Sequence, residues 1–213
     1  MGRSLIDAKR TFYLVSICSL MGIMLGIGYS IVRLQIDVTS PARADFLPFY
    51  TTANMLVNGV REQLYNMDIQ ALWQQQITGS ELSVIHINYH PPFENIVYLP
   101  LTILPLRIAY WVWNAISLGM VVLSVLVLMS VIQPLSRNTR WMMWLACLSF
   151  PPVAETLTLG QDSTMLLLVL CLALRDFKLG REGRAGAILA LGLFRYQLLV
   201  VPLMFLVIKR RWL

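Results

Sequence analysis

Four places in this chain carry residue types that could do chemistry in an otherwise apolar setting. Asp45 opens the polar stretch 43–58, RADFLPFYTTANMLVN, just after a long apolar run. A carboxylate held at a membrane surface is costly without a partner or a purpose, and Asp45 is placed to take a proton from a hydroxyl nucleophile. An aspartate before a helical pattern also serves as a helix cap, and residue type alone leaves both readings open.

The second place is Asn88–Phe93, NYHPPF, where an amide, a phenol and an imidazole stand beside two prolines. It reads either as a lip that touches substrate or as an aromatic belt with a proline turn. The third is Gly160-Gln161-Asp162, between two short apolar runs, and the fourth is Arg195, inside an apolar run. An arginine there faces a polar cavity, pairs with another helix, or meets an anion such as phosphate, whose geometry the guanidinium matches. His86 and His90 are four residues apart, but no second carboxylate at ligand spacing follows, so no metal site is expected. The chain has no P-loop, dinucleotide-binding glycine pattern, HExxH, GxSxG or EF-hand.

What must position these groups is a membrane scaffold. Of 213 residues, 57% are hydrophobic and 13% charged, far below the roughly 25% charged of a soluble domain. Apolar runs recur along the chain, so the expected class is an all-α polytopic integral membrane protein. The net charge of +6 does not point to nucleic acid, because the basic residues form short clusters between apolar runs and no single stripe. Cys18, Cys147 and Cys171 lie inside apolar runs without paired spacing and read as packing residues.

Residues 11–34 form the first expected span, with Gly22 and Gly26 as a small-residue pair for a neighbouring helix. Residues 35–92 form a polar insert with five acids and two bases. Its apolar spacing predicts a helix from Phe46 that stops near Gly59, and a second over Met67–Thr78 with Asp68 near its start. Both are expected to lie on the outer leaflet, with Trp73 and the Tyr and Phe rings at headgroup level. Residues 93–106, carrying Pro100 and Pro105, are expected to be broken or partly inserted, and 108–132 to be a full span. Residues 141–150 and 164–174 are too short to cross about 30 Å of hydrocarbon. Twelve of the seventeen basic residues fall at 3–10, 137–140, 175–184 and 209–211. The positive-inside rule puts these clusters and the N-terminus in the cytoplasm, with GQD, Arg195 and Asp45 near the outer face.

The order of these elements resembles glycosyltransferase family 87, a GT-C class of membrane enzymes that includes polyprenyl-phosphate-mannose-dependent mannosyltransferases. The resemblance rests on DFLPFYTTANMLVNG with Tyr65, on Tyr89-His90-Pro91-Pro92-Phe93, and on Pro100–Pro105 with Trp113. It continues through Pro152, Leu157–Gln161, Gly183-Arg184, Ala185-Gly186 and Arg195. The family usually has Lys where Arg195 stands, and His90 intrudes between Tyr and Pro. Its members are longer, so 1–213 is expected to be one transmembrane domain, the N-terminal half of such an enzyme.

The resemblance implies inverting transfer of mannose, or another hexose or pentose, from a polyprenyl-phosphate donor to a lipid or glycan acceptor. This would occur at the outer face of a bacterial-type plasma membrane. Asp45 would be the general base, with Arg195, Arg43 and His90 meeting the departing lipid phosphate, and Tyr50, Tyr89 and Gln161 lining the site. No cofactor is expected and no divalent metal is required, because the leaving group carries one phosphate and bases are present to meet it. Membrane lipids and the two substrates are the expected partners, with no nucleic acid. The competing readings are a transporter or scaffold subunit without enzymatic activity, and an inactive truncated glycosyltransferase. Broken helices with polar turns also build transporter sites.

Overall fold

The computed structural model describes residues 45–79, 82, 85–132, 135–148 and 150–208, together with part of 13–28. Arg43, the basic N-terminus, the 209–211 cluster and Gly26 lie outside the described residues. Among those described there is no strand, in keeping with the all-α expectation. The described residues of 13–28 are helical, and Tyr13, Leu14, Ile17, Met21 and Leu25 are exposed.

Helix α1 (Phe46–Val57) ends at Asn58 and Gly59, the latter at φ 79°, where a side chain would be strained. Helix α2 (Met67–Thr78) starts on Asn66, whose side chain accepts from the Asp68 and Ile69 amides, and stops at Gly79 in the left-handed region. Both helices therefore begin and end where the periodicity places them, although Asn66, and not Asp68, supplies the cap.

Their environment differs from the expected one. Helix α1 is a core element and not a surface helix. Phe46, Phe49, Tyr50 and Ala53 pack with Tyr98, Leu101, Ala109, Tyr110 and Trp113 into one buried cluster. Phe49 and Tyr98 stack at 5.0 Å, and Tyr98 and Trp113 meet at 4.5 Å, inside the range of favourable aromatic pairs. Helix α2 buries two glutamines, Gln70 and Gln74, instead of an apolar stripe. Their amides satisfy the backbone of an extended stretch. Gln70 accepts from the Asn88 N–H at 2.8 Å and donates to the Asn88 carbonyl at 3.0 Å, while Gln74 donates to the His86 carbonyl at 2.6 Å. Buried backbone groups must be paired, and here side chains supply what a neighbouring strand would.

A short turn of helix, α3 (Pro92–Asn95), leads into a 3-10 segment, Ile96–Ile103, that contains Pro100. The expected break is therefore present, and this segment packs across α1. Helix α4 (Leu106–Val131) is the long span. Its 26 residues rise about 39 Å at 1.5 Å each.

Beyond it come α5 (Arg137–Leu148) and α6 (Pro151–Leu159), joined at a 46° bend, then α7 (Ser163–Lys178). Helix α8 (Glu182–Ala190), a 3-10 turn (Leu191–Arg195) and α9 (Tyr196–Ile208) follow. Glu182–Met204 is the second stretch long and apolar enough to cross a membrane, and the bent α5–α6 pair makes up to three.

Helices α4 and α7 run side by side in the same direction. Near their starts Tyr110 donates to the Thr158 carbonyl at 2.5 Å and the Trp113 indole to the Gly160 carbonyl at 2.9 Å. At their ends Lys178 Nζ donates to the Val131 carbonyl. The bundle thus has two ends. Asp45, Gly160–Asp162 and Arg195 share one, and Arg137, Arg140, Arg175, Lys178, Arg181 and Arg184 gather at the other.

Candidate functional site

Gly160 is the hinge on which the site is assembled. It sits at φ 67°, ends α6, and packs so closely on α1 that an added Cβ would lie 2.7 Å from the Cβ of Phe46. That approach carries the next two side chains into place.

Gln161 Nε2 donates to Asp45 Oδ2 at 2.5 Å. Asp45 occupies the N-cap position of α1, yet its side chain makes no capping bond. The capping reading of Asp45 is therefore corrected: its carboxylate is turned to the Gly160–Asp162 turn. It remains partly exposed, whereas Phe46 beside it is buried.

Asp162 is buried and holds Arg195, whose Nε lies 3.0 Å from Oδ1 and 3.3 Å from Oδ2, with Nη2 also on Oδ1. Such a paired, hydrogen-bonded arrangement is what makes a buried charge tolerable. Arg195 is thus committed on one edge of its guanidinium and keeps 20% of its side chain exposed.

His90 is fixed from several sides. Its N–H donates to Asn88 Oδ1 at 2.9 Å, its carbonyl accepts from the Tyr65 hydroxyl at 3.0 Å, and its ring meets the edge of Phe49 at 5.1 Å. Asn88 is itself tied to α1 and α3, through Thr52 Oγ1 at 2.8 Å and Asn95 Oδ1 at 2.9 Å. One helical turn on, Glu94 Oε2 lies 2.8 Å from His90 Nδ1. Glu94 is buried, and its Oε1 has no hydrogen-bond partner among the described residues. Burial, with the Asp162 carboxylate as a further cause, raises the Glu94 carboxyl to about 7, against the opposing contact from His90.

Ligand atoms of His90, Glu94 and Asp162 all lie within 4.8 Å of one another. They offer three donors to a cation, but Arg195 already neutralises Asp162 and Glu94 already occupies Nδ1 of His90.

Of the residues singled out from the sequence, Asp45, His90, Gln161 and Arg195 are brought around the Gly160–Asp162 turn. Tyr50 is buried nearby, but its hydroxyl is spent on the Leu104 carbonyl at 2.6 Å. Tyr89 points away, 64% exposed, with its hydroxyl 3.5 Å from the Met67 sulfur. Glu94 completes the cluster without having been singled out from the sequence, and Asp162, named there only within Gly160–Asp162, completes it as the partner of Arg195. The i,i+4 spacing of His90 and Glu94 on a helical turn was the available signal for the first, and adjacency to Gln161 for the second.

Residues 88–213, more than half of the chain, match the family model described as Glycosyltransferase family 87. No curated protein and no solved structure matches the chain. His90, Glu94, Gln161, Asp162 and Arg195 lie inside the matched residues, whereas Asp45 precedes them. Helices suited to crossing a membrane and the family match agree: this is an integral membrane protein that belongs to glycosyltransferase family 87, a family of membrane glycosyltransferases.

Proposed function

We propose that the chain transfers a sugar, mannose or another hexose or pentose, from a polyprenyl-phosphate donor to a lipid or glycan acceptor, with inversion. Asp45 is the general base on the acceptor hydroxyl. The observation that carries this reading is the Gln161–Asp45 contact, which joins an accessible carboxylate to the part of the chain that matches the family. Inversion needs one displacement: the acceptor oxygen attacks the anomeric carbon while the phosphate departs from the opposite face. A single base and a site for the phosphate suffice.

Arg195 and His90 supply the positive and hydrogen-bonding groups for the departing lipid phosphate, and Gln161 orients the base. The step needs no divalent metal, since one phosphate leaves and the guanidinium edge not bound to Asp162 is available to it. Partners on this reading are membrane lipids, the lipid-linked donor and the acceptor. The basic residues at the opposite end of the bundle support a cytoplasmic position for that end and an outer-face position for the site.

The test is transfer of radiolabelled mannose in membranes carrying the chain, from polyprenyl-phosphate-mannose and from a nucleotide-mannose. The reading expects the lipid-linked donor to be used and the nucleotide donor to be refused. Use of the nucleotide donor alone would overturn it.

A further inference from the structure

The two buried carboxylates at the site exceed the charge that offsets them. Asp162 and Glu94 are both buried, Arg195 answers one of them, and no other Lys or Arg among the described residues pairs with either. The group that answers the second is a proton, and Glu94 Oε2 lies 2.8 Å from His90 Nδ1, placed to share it, with the Asp162 carboxylate as the other neighbour of Glu94. The other ring nitrogen, Nε2, takes no partner among the described residues and is not among the buried unpaired atoms. With the shared proton bound, Nε2 carries a hydrogen and donates. Once that proton is lost, the Nδ1 hydrogen is held by the Glu94 carboxylate and Nε2 can only accept.

We propose that His90, with Glu94 behind it as a positioning residue, is the proton donor to the phosphate oxygen of the lipid-linked sugar. This rests on the transfer reading above and adds a proton-donating partner to Asp45. In the step, the acceptor O–H gives its proton to the Asp45 carboxylate and its oxygen bonds to the anomeric carbon. The bond from that carbon to the phosphate oxygen breaks with its electron pair on the phosphate. That phosphate takes the proton from His90 Nε2, leaving the monoanion of the prenyl phosphate. Asp45 then returns its proton to water and the dyad regains one.

The match is chemical. A phosphate monoester has its second ionisation near pH 6, so the departing phosphate is able to take a proton near neutral pH, and Glu94, raised by burial with Asp162 nearby, stands behind His90 as it gives one. The groups facing the dyad are Asp162 from the turn before α7, Arg195 through Asp162, and Tyr98 from the 3-10 segment, whose buried hydroxyl interacts with both carboxylates.

The chain has two histidines, His86 and His90, so nitrogen-15 histidine labelling in a His86→Gln background leaves one imidazole to observe. The protein would be placed in phosphatidylcholine nanodiscs and titrated with farnesyl phosphate as the probe. The expected result is displacement of the His90 Nε2 resonance, a dyad that keeps its proton to higher pH when the probe is bound, and loss of both effects in Glu94→Gln. No displacement, or equal displacement in Glu94→Gln, overturns the proposal. The same displacement from phosphatidylglycerol alone also overturns it, by making the site a lipid-headgroup contact.

Transfer assays separate this from the parent reading. His90→Gln and Glu94→Gln are each expected to lower the rate about 10²-fold and to flatten the alkaline limb of the pH–rate profile. A wild-type rate and profile in both variants overturns the dyad and leaves the transfer reading standing. An intact farnesyl phosphate response in a chain that transfers no sugar supports the phosphate contact and overturns the transfer reading.

Discussion

Gln161 reaches Asp45 across 116 residues of chain, donating its side-chain amide to the carboxylate at 2.5 Å. The contact depends on Gly160. No other residue type combines a left-handed backbone with the absence of a Cβ that would press on Phe46.

Gly160→Ala tests that dependence. The new methyl group meets the Phe46 Cβ at 2.7 Å in a backbone conformation unfavourable to alanine, which is expected to cost about 1–3 kcal/mol. Thermal unfolding of the purified protein should show a lowered Tm. Transfer should also fall, because the turn must back away from α1 and take Gln161 off Asp45. An unchanged Tm would mean that the close approach is not maintained.

The buried Asp162–Arg195 pair should behave as a unit. Asp162→Asn leaves the guanidinium without its carboxylate and is expected to destabilise the protein by about 3–5 kcal/mol. Adding Arg195→Met to that variant removes the stranded charge, so the double variant should be more stable than Asp162→Asn alone. Simple additivity of the two effects, read from Tm, would contradict the pairing.

Glu94 sets a pH dependence whose sign follows from linkage. Its carboxyl is raised from 4.5 to about 7, first by burial and then by Asp162. The folded state therefore holds a proton that the unfolded chain releases between those values. Stability from this group is full at low pH and is lost as pH rises from the unfolded value through about 7. Glu94→Gln keeps the shape and cannot ionise. The Tm difference between wild type and Glu94→Gln should therefore shift against the wild type as pH rises from 5 to 7.5, as the approximate window implied by the linkage. A constant difference would contradict a raised Glu94.

The amino-acid pattern made a good part of this visible. Helices over 46–57 and 67–78 follow from apolar spacing and glycine stops, and the long span from its length and purity. The all-α membrane class followed from the recurring apolar runs, and the family from the order of the motifs. Less visible was that α1 is buried on every side from Phe46 to Ala53, since periodicity detects a face and these two turns have none left to expose. Gln70 and Gln74 look like a solvated face because composition cannot show that their amides bind a neighbouring backbone. Glu94, a lone acid in PPFENIVY, reads as part of a membrane entry until His90 and Asp162 are seen beside it. The choice between cap and site residue for Asp45 was equally closed to the sequence, because its partner lies far along the chain.

The most direct measurement of the central claim is transfer from polyprenyl-phosphate-mannose by Asp45→Asn beside the wild type, in membranes with matched protein levels. Asparagine keeps the size of the side chain and can still meet Gln161, but it cannot accept the acceptor's proton. The account predicts normal expression and Tm, with transfer reduced about 10²–10⁴-fold, the range expected for a lost general base. Transfer at the wild-type rate would contradict Asp45 as the base.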